Sequence, residues 1–539
     1  MDNIKIVIDL TSGGGTGYHF NPVSWFLKTY HQIFSKYKES YNWTLPYVVI
    51  NECPADDILL DLEIEIITQQ ISILGFSHYV WTPHMLELAK KLKNKFPNLT
   101  IIFGGPELDA HKNVNFFKTH YYIDWVIYGD GEHAFGNLLD HLAGYTDLLF
   151  NVVSNPGTIY PHQVFSDKEA LKKSPYLENK NEIVAVISKI KSKLSTIPNI
   201  SKNAIMIWET TKGCPYGCSF CDWNSGLHNK VRIWARDELI PNWKKELDFF
   251  TEIGINNLWW TNPNVGLAAQ DTDIVDYLCE LRKINPKSPS VINPQLSKLN
   301  KEKSYALLDK LLNAGVSYGL KFDLQDLDYE VLKNVDRPDI PWDKHKPMIE
   351  ALIAKHRHIL RANGRSNRIN FIWGMPGQTL EHMKNNMVEA GSLGFLANHY
   401  PLLVLPNAPV SDPDYQNKFK LRVKNVTTLL SDQELSHQAL VYPCRTVVST
   451  MSLTEKDWFT GILLFYIYLY FYDTRAGIVG QEKIFWKNYS KIQHIIDTSY
   501  EYFAKTSVVA IVTDNNPVVI YTFLRQHQNN FYKLLFCLD

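Results

Sequence analysis

Two runs of short apolar β segments, each segment followed by a helical spacer, constrain this 539-residue chain more than any other feature. In the first run the segments are KIVIDL (5–10), YVVIN (47–51), ISILGFSHYV (71–80), TIIFGG (100–105) and WVIYGDGE (125–132). Asn21-Pro22 reads as a helix cap with proline at the first helical position. Residues 57–71 and LELAKKLKNKF (86–96) carry helical spacing. Strands alternating with helices in this way predict a doubly wound, Rossmann-like parallel sheet, whose ligand sits at the carboxyl ends of the strands. Those ends carry GGGTG (13–17), GFSHYVW (75–81), GGPE (104–107) and GDGE (129–132).

The second run begins near Ala204: AIMIWET (204–210), NNLWWTN (256–262), SVINPQ (290–295), VSYGLKFDLQ (316–325), RINFIWGMP (368–376) and HYPLLVLPN (399–407). Six βα units are too few for a closed eight-fold barrel, so a partial (β/α)6 barrel is expected. The expected division is residues 1–145 for the N-terminal sheet domain, 146–200 for a bridging segment, 201–410 for the barrel and 411–539 for a mainly helical, aromatic-rich region. The fold class is therefore α/β.

Charge narrows the partners. Fifty-five Lys and Arg against 56 Asp and Glu leave a net charge of −1, which speaks against nucleic acid and anionic membranes. The start, MDNIKIVIDL, lacks the pattern of a secretory leader. The apolar run GILLFYIYLYFY (461–472) stops at Asp473; it is too short to span a bilayer and reads as a buried helix.

Cysteine is rare, yet three of the seven fall together in GCPYGCSFCDW (213–223), at Cys214, Cys218 and Cys221. The other four, Cys53, Cys279, Cys444 and Cys537, are scattered, which argues for a reducing cytoplasm rather than a disulfide framework. The triplet follows the first barrel strand, at the catalytic end. Gly213 and Gly217 let the backbone curl the thiolates toward one centre. A structural zinc site wants four ligands, with His228 the one nearby candidate. Three thiolates suit a 4Fe–4S cluster with one iron left open.

This motif resembles that of the radical S-adenosylmethionine (SAM) enzymes. IWETTKGCPYGCSFCDW and GMPGQT resemble the barrel segments, and GFSHYVW, FGGPE and YGDGE the sheet ends, of the cobalamin-dependent members of that family, methyltransferases above all. The likeness covers residues 1–410. It implies a 4Fe–4S cluster on Cys214, Cys218 and Cys221, whose open iron chelates SAM, and a cobalamin on the N-terminal sheet. Two departures stand out. The string Asp109-Ala110-His111-Lys112-Asn113-Val114 lacks the glycine of a cobalt-ligating histidine motif and follows the wrong strand. Where relatives carry Gly-Gly-Glu for the SAM amine, this chain reads Trp259-Trp260-Thr261-Asn262.

From the resemblance, Thr261 and Asn262 are expected at the SAM amine, and Phe220 and Tyr216 on the adenine, on the cluster, or simply plugging the barrel mouth. Lys321, Asp323 and Gln325 share one strand face; inward, they grip SAM's ribose and carboxylate, and outward they are solvated. Gly374 and Gly377 either pass close to the adenine or make a tight turn. Around cobalamin the candidates are Gly13, Gly14 and Gly15, then Ser77 and Tyr79, then Gly104, Gly105, Glu107, Gly129, Gly131 and Glu132. The two glutamates are equally readable as first-turn carboxylates of following helices.

The resemblance implies an enzyme that methylates an unactivated carbon of a small-molecule or peptide substrate, by way of a 5′-deoxyadenosyl radical and methylcobalamin. It also implies an electron donor such as flavodoxin or ferredoxin. The alternatives are a non-methylating enzyme of the same group (rearrangement, cyclisation or epimerisation) and, from another class, a cobalamin or iron–sulfur sensor. No nucleic-acid partner and no membrane span are expected.

Overall fold

The structure is a computed structural model; it describes all residues except 13–17, 51–52, 80–81, 83, 109, 111–112, 114, 147, 164–172, 198–202, 225–230, 234–241, 317–319, 363–366, 429–441 and 474–539. The chain forms two compact units. The first comprises Met1–Pro215, Asp222–Ser297 and Ala306–Ser317; the second comprises Tyr216–Cys221, Lys298–Tyr305 and Tyr318–Asp539.

The first unit opens with β1 (Asp2–Ser12), β2 (Tyr18–Phe20), β3 (Tyr41–Trp43), β4 (Tyr47–Ile50), β5 (Ile71–Ser77), β6 (Thr100–Gly104) and β7 (Trp125–Ile127). β1 pairs in parallel with β4 on one side and β5 on the other, and β6 and β7 continue the parallel sheet. The five expected strands thus stand in the order second, first, third, fourth, fifth, the flavodoxin-like variant of the doubly wound fold. Alternation along β1 explains why both faces are covered: Ile4, Ile6 and Ile8 pack into one core, while Val7 joins Leu74 and Phe103 in another.

Residues 146–200, expected as a bridge, are built into this unit. β8 (Val152–Ser154) and β9 (Thr158–Ile159) extend the sheet antiparallel beyond β7. Helix Lys180–Ser195 buries Ile183, Val186, Ile190 and Leu194 in the same core as Trp208 and Trp260.

β2 was not visible in the sequence, being three residues long. It pairs antiparallel with β1 and parallel with β10 (Ala204–Trp208), the first strand of the second run. Then come β11 (Thr211–Lys212), paired with β12 (Arg232–Ile233), and β13 (Asn257–Val265) and β14 (Val291–Leu296), which continue in parallel from β10. Through β2 the first run and the first three strands of the second share one 12-stranded sheet.

The second unit holds β15 (Lys321–Gln325), β16 (Arg368–Trp373) and β17 (Leu396–Pro401), a parallel three-stranded sheet. With β10, β13 and β14 these are the six strands of the expected (β/α)6 series. The C-terminal region is helical over Glu455–Asp473, the apolar run read as a buried helix, where Leu464 and Tyr468 are buried. It also contains an antiparallel pair, β18 (Arg422–Thr428) with β19 (Tyr442–Ser449). Among the described residues no helix is long and apolar enough to cross a membrane.

Candidate active site: the cysteine loop and the strand ends

The cysteine loop leaves β10 through a stretch held by the neighbouring strand. Asn262, on β13 and fully buried, accepts hydrogen bonds from the backbone N–H groups of Thr210 and Thr211 at 2.8 and 2.9 Å. Its Nδ2 donates to Thr210 Oγ1 at 2.7 Å, and Trp260 Nε1 donates to the same oxygen at 3.2 Å. Expected at the SAM amine, Asn262 instead clamps the approach to the loop. Thr261 is half-buried on the opposite face of β13, and its hydroxyl donates to the Trp208 carbonyl at 3.2 Å.

Lys212 follows. Its ammonium lies 2.6 Å from Glu132 and 3.6 Å from Asp130. Burial opposes its charge, but Glu132, Asp130 and Glu209 outweigh it and hold the pKa above the ordinary lysine value. Glu132, a candidate for the cobalamin nucleotide, is therefore a first-turn carboxylate of helix Gly131–Leu142 that neutralises Lys212.

Gly213 has φ = +90°, a conformation open to glycine, and turns the chain into Cys214. Cys214 is buried, and its sulfur accepts a hydrogen bond from Asn264 Nδ2 at 3.2 Å. Further along the sequence, Cys218 is buried and Cys221 half-buried, and Cys221 N–H donates to the Cys218 carbonyl at 3.0 Å. Between them Ser219 N–H donates to the Val335 carbonyl, and Val410 N–H to the Ser219 carbonyl, both at 2.9 Å. Phe220 is half-buried against a core containing Val331, Met375 and Leu402. The Tyr216 ring carries the Lys298 ammonium 5.1 Å from its centroid. None of the three clustered cysteines is in a disulfide. Among the described residues no three thiol, imidazole or carboxylate side chains already converge on a metal-binding point, so the fit to an iron–sulfur cluster rests on the donor set and the turn.

In the second unit, Phe322 and Leu324 are buried, and Phe322 packs on the rings of Tyr305 and Phe395, each 5.6 Å away. Lys321, Asp323 and Gln325, half-buried, take the other face of β15. There a polar ladder crosses the sheet in register: Asn398 Nδ2 donates to Asn370 Oδ1 at 3.1 Å, and Asn370 Nδ2 to Asp323 Oδ1 at 2.6 Å. Gln325 closes β15 with φ = +71°, a left-handed backbone that a glutamine adopts only under constraint.

Gly374 and Gly377 have φ = +103° and +96°. A Cβ on Gly377 would lie 2.7 Å from Asn334 Nδ2, and one on Gly374 3.1 Å from the Val447 carbonyl, so the left-handed backbone, with close neighbours beside it, favours glycine at both positions. The residue that shapes their turn is Gln378. Its Oε1 accepts from Gly374 N–H and Met375 N–H at 2.8 Å, and its Nε2 donates to Asp326 at 2.6 Å. Burial raises the Asp326 carboxyl above the usual range against these donors.

In the N-terminal sheet the switch point falls between β1 and β5. Gly13, Gly14 and Gly15 lie outside the described residues, as do Asp109 and His111. Ser77 is buried at the end of β5; Tyr79 is half-buried, and its N–H donates to Thr82 Oγ1 at 2.8 Å. Gly105 has φ = +125°, and a Cβ there would lie 2.0 Å from the His78 carbonyl, so the ends of β5 and β6 touch. His78 itself, missed in the sequence, is buried with Nδ1 3.1 Å from Thr82 Oγ1; burial lowers its pKa to about 4. His84, also missed, sits 3.5 Å from the buried Asp9 of β1. Gly104 ends β6, Glu107 is half-buried beyond it, Gly129 has φ = +74°, and Gly131 starts its helix.

Comparison with known proteins fits this geometry. Residues 208–388 match the radical SAM superfamily profile. The chain is 26% identical over 420 residues to the cobalamin-dependent radical SAM methyltransferase TokK of Streptomyces tokunonensis, covering 75% of this chain and 56% of that protein. It is 24% identical over 359 residues to the 2-(S-pantetheinyl)-carbapenam-3-carboxylate methyltransferase of Streptantibioticus cattleyicolor, covering 65% and 49%. The chain thus spans about half the length of the curated relatives it matches. Among solved structures, the fold is similar to the radical SAM methyltransferase TsrM of Kitasatospora setae with cobalamin and a [4Fe-4S] cluster bound (TM-score 0.56, 12% identity, 87% of this chain and 89% of that one). It is equally similar to the cobalamin-dependent SAM radical enzyme OxsB with aqua-cobalamin bound (TM-score 0.56, 14% identity, 99% and 76%). Residues 208–388 thus match the radical SAM superfamily, and over most of its length the chain resembles the cobalamin-dependent radical SAM enzymes.

Proposed function

We propose that this chain is a cobalamin-dependent radical SAM methyltransferase acting on an unactivated carbon of a small molecule. The observation that carries the reading is the three-thiol loop directly after β10, inside the radical SAM domain and in a chain that also builds a flavodoxin-like sheet with a close-packed, glycine-lined rim. Cys214, Cys218 and Cys221 would hold a 4Fe–4S cluster through three irons. Gly213 gives the backbone its turn, Asn262 and Lys212 fix the approach, and Phe220 keeps water from one side of the loop. Lys321, Asp323 and Gln325, with the Asn370–Asn398 ladder behind them, supply a polar wall for SAM. Ser77, Tyr79 and the Gly104-Gly105 and Gly129–Gly131 rims supply the cobalamin side.

When bound, the cluster, SAM and cobalamin provide a one-electron reductant, a carbon-centred radical and a methyl donor. The protein's share is to orient them and to exclude water. A small molecule is favoured over a peptide because one relative is named for a small carboxylate substrate. An electron donor of the flavodoxin or ferredoxin kind and a reducing, cytoplasmic setting belong to the same proposal.

The test is anaerobic reconstitution with iron, sulfide, SAM and cobalamin. The expected result is a cluster lost in C214A, C218A and C221A, with 5′-deoxyadenosine and S-adenosylhomocysteine both formed by the wild type. The first product without the second would favour a non-methylating reaction, and OxsB, described as a radical enzyme rather than a methyltransferase, keeps that reading in view. Iron unaffected by the three substitutions would overturn the proposal.

A further inference from the structure

β13 presents Leu258, Trp260, Asn262 and Asn264 on one buried face. The first two are core, the third clamps backbone, and the fourth reaches a sulfur: Asn264 Nδ2 stands 3.2 Å from Cys214 Sγ, with residues 264 and 214 only 6% and 4% exposed. The backbone around Asn264 is fixed independently of its side chain. Leu267 N–H donates to the Asn264 carbonyl at 3.0 Å, Ser297 N–H to the Val265 carbonyl at 2.9 Å, and Gly266 N–H to the buried Asp271 at 2.7 Å. The amide is therefore aimed at Cys214 by the strand end.

We infer that Asn264 is a positioning residue that sets the reduction potential of the cluster by donating an N–H to the sulfur of its Cys214 ligand. The inference rests on the reading of Cys214 as a ligand. Adding an electron to a thiolate-ligated cluster raises the negative charge shared by its sulfurs. A donor aimed at one of those sulfurs stabilises the reduced form more than the oxidised one, so the potential rises. The site is buried, so water competes little for the sulfur and the local dielectric leaves the bond at strength. A radical enzyme of this kind must be reducible by a cellular donor yet reducing enough to cleave a sulfonium. A side-chain donor on a neighbouring strand adjusts that balance without altering the cysteine loop itself.

The experiment uses the full-length chain, reconstituted anaerobically, with iron and sulfide counted per chain and the potential read by an EPR-monitored redox titration. Asn264→Leu keeps the side-chain size and removes the donor. At the potential where the wild-type cluster is half reduced, its reduced-to-oxidised ratio is expected to fall about tenfold, which for a one-electron couple is about 59 mV toward the negative. Asn264→Asp replaces the donor with a negative acceptor and is expected to shift it further in the same direction. An unchanged potential at unchanged iron content overturns the inference, because a merely structural asparagine would move stability and not potential. A variant that fails to assemble does not decide the matter, so the wild type is also prepared with asparagine labelled with ¹⁵N in its side chain. Pulsed EPR of its reduced cluster is expected to show a ¹⁵N hyperfine coupling, and the absence of one overturns the inference even if no variant folds. Wild-type protein that takes up no iron would instead sink the proposed function, a different result from a cluster whose potential ignores Asn264.

Discussion

The two three-stranded halves of the second βα series use their polar residues differently. In β10, β13 and β14 the buried asparagines bond to main chain and sulfur: Asn262 to the backbone of Thr210 and Thr211, Asn264 to Cys214. In β15, β16 and β17 they bond to one another, in the Asn398–Asn370–Asp323 ladder. The first arrangement makes a shape: removing an asparagine leaves buried backbone N–H groups without partners, a cost of about 1–3 kcal/mol for each. The second joins side chain to side chain: Asn370 and Asn398 are buried as well, but removing Asn370 unpairs side-chain atoms rather than main chain, and one of its two partners, Asp323, is only half-buried. The first half accordingly fixes the main chain of its loop, and the second fixes the side chains of one sheet face.

The sharpest break of this comparison is Lys212→Met. It leaves Glu132 and Asp130 buried beside a thioether, and breaking such a pair costs about 3–5 kcal/mol. Denaturant unfolding of the variant should show a loss of that size; a loss below about 1 kcal/mol would mean that the clamp is solvated. Asn262→Leu comes next, with about 2–4 kcal/mol lost from its two orphaned N–H groups. Asn370→Leu should cost less, about 1–2 kcal/mol, because one of its two partners, Asp323, is half-buried and can turn to water, while weakening SAM binding about tenfold by calorimetry. If the two asparagine variants lose equal stability, the contrast between the halves fails. Gly377→Ala should cost about 1–2 kcal/mol, because φ = +96° and a Cβ 2.7 Å from Asn334 both oppose it; its melting temperature reads this directly.

Acid is expected to affect both units alike. Burial lowers the pKa of His31 and His78 in the first unit to about 4, and of His345 and His399 in the second to about 3, from an ordinary 6.5. The native state then binds fewer protons than the unfolded chain, so stability is full above pH 6.5 and falls as the pH drops toward 4. Unfolding midpoints at pH 7.5 and pH 5 should differ accordingly, and His78→Asn should lessen the difference.

Periodicity made most of the fold legible. All five strands of the first run and the first five of the second appear on the expected apolar runs, while the sixth, Leu396–Pro401, overlaps only the start of the expected 399–407. The cysteine loop was legible because its chemistry is local, three thiols within eight residues. Its supports were not. Asn262 and Asn264 meet their partners across about fifty residues, and Lys212 meets Glu132 across eighty; no window on the sequence connects them. Its strand position suits Asn262 to a ligand, but a buried amide beside two unsatisfied N–H groups bonds to those first. Gln378 stood in plain view in GMPGQT, yet only the fold reveals that it braces the two glycines.

β2 has a further consequence. Three residues lie between β1 and β10 and hydrogen-bond to both, so the cobalamin-type sheet and the opening barrel strands share a seam. Cutting the chain near residue 200 would strip β2 of one neighbour and open a row of main-chain donors and acceptors that seeks another chain. Such a join makes the sheet and the strands it is stitched to one folding and engineering unit, to be kept or removed together.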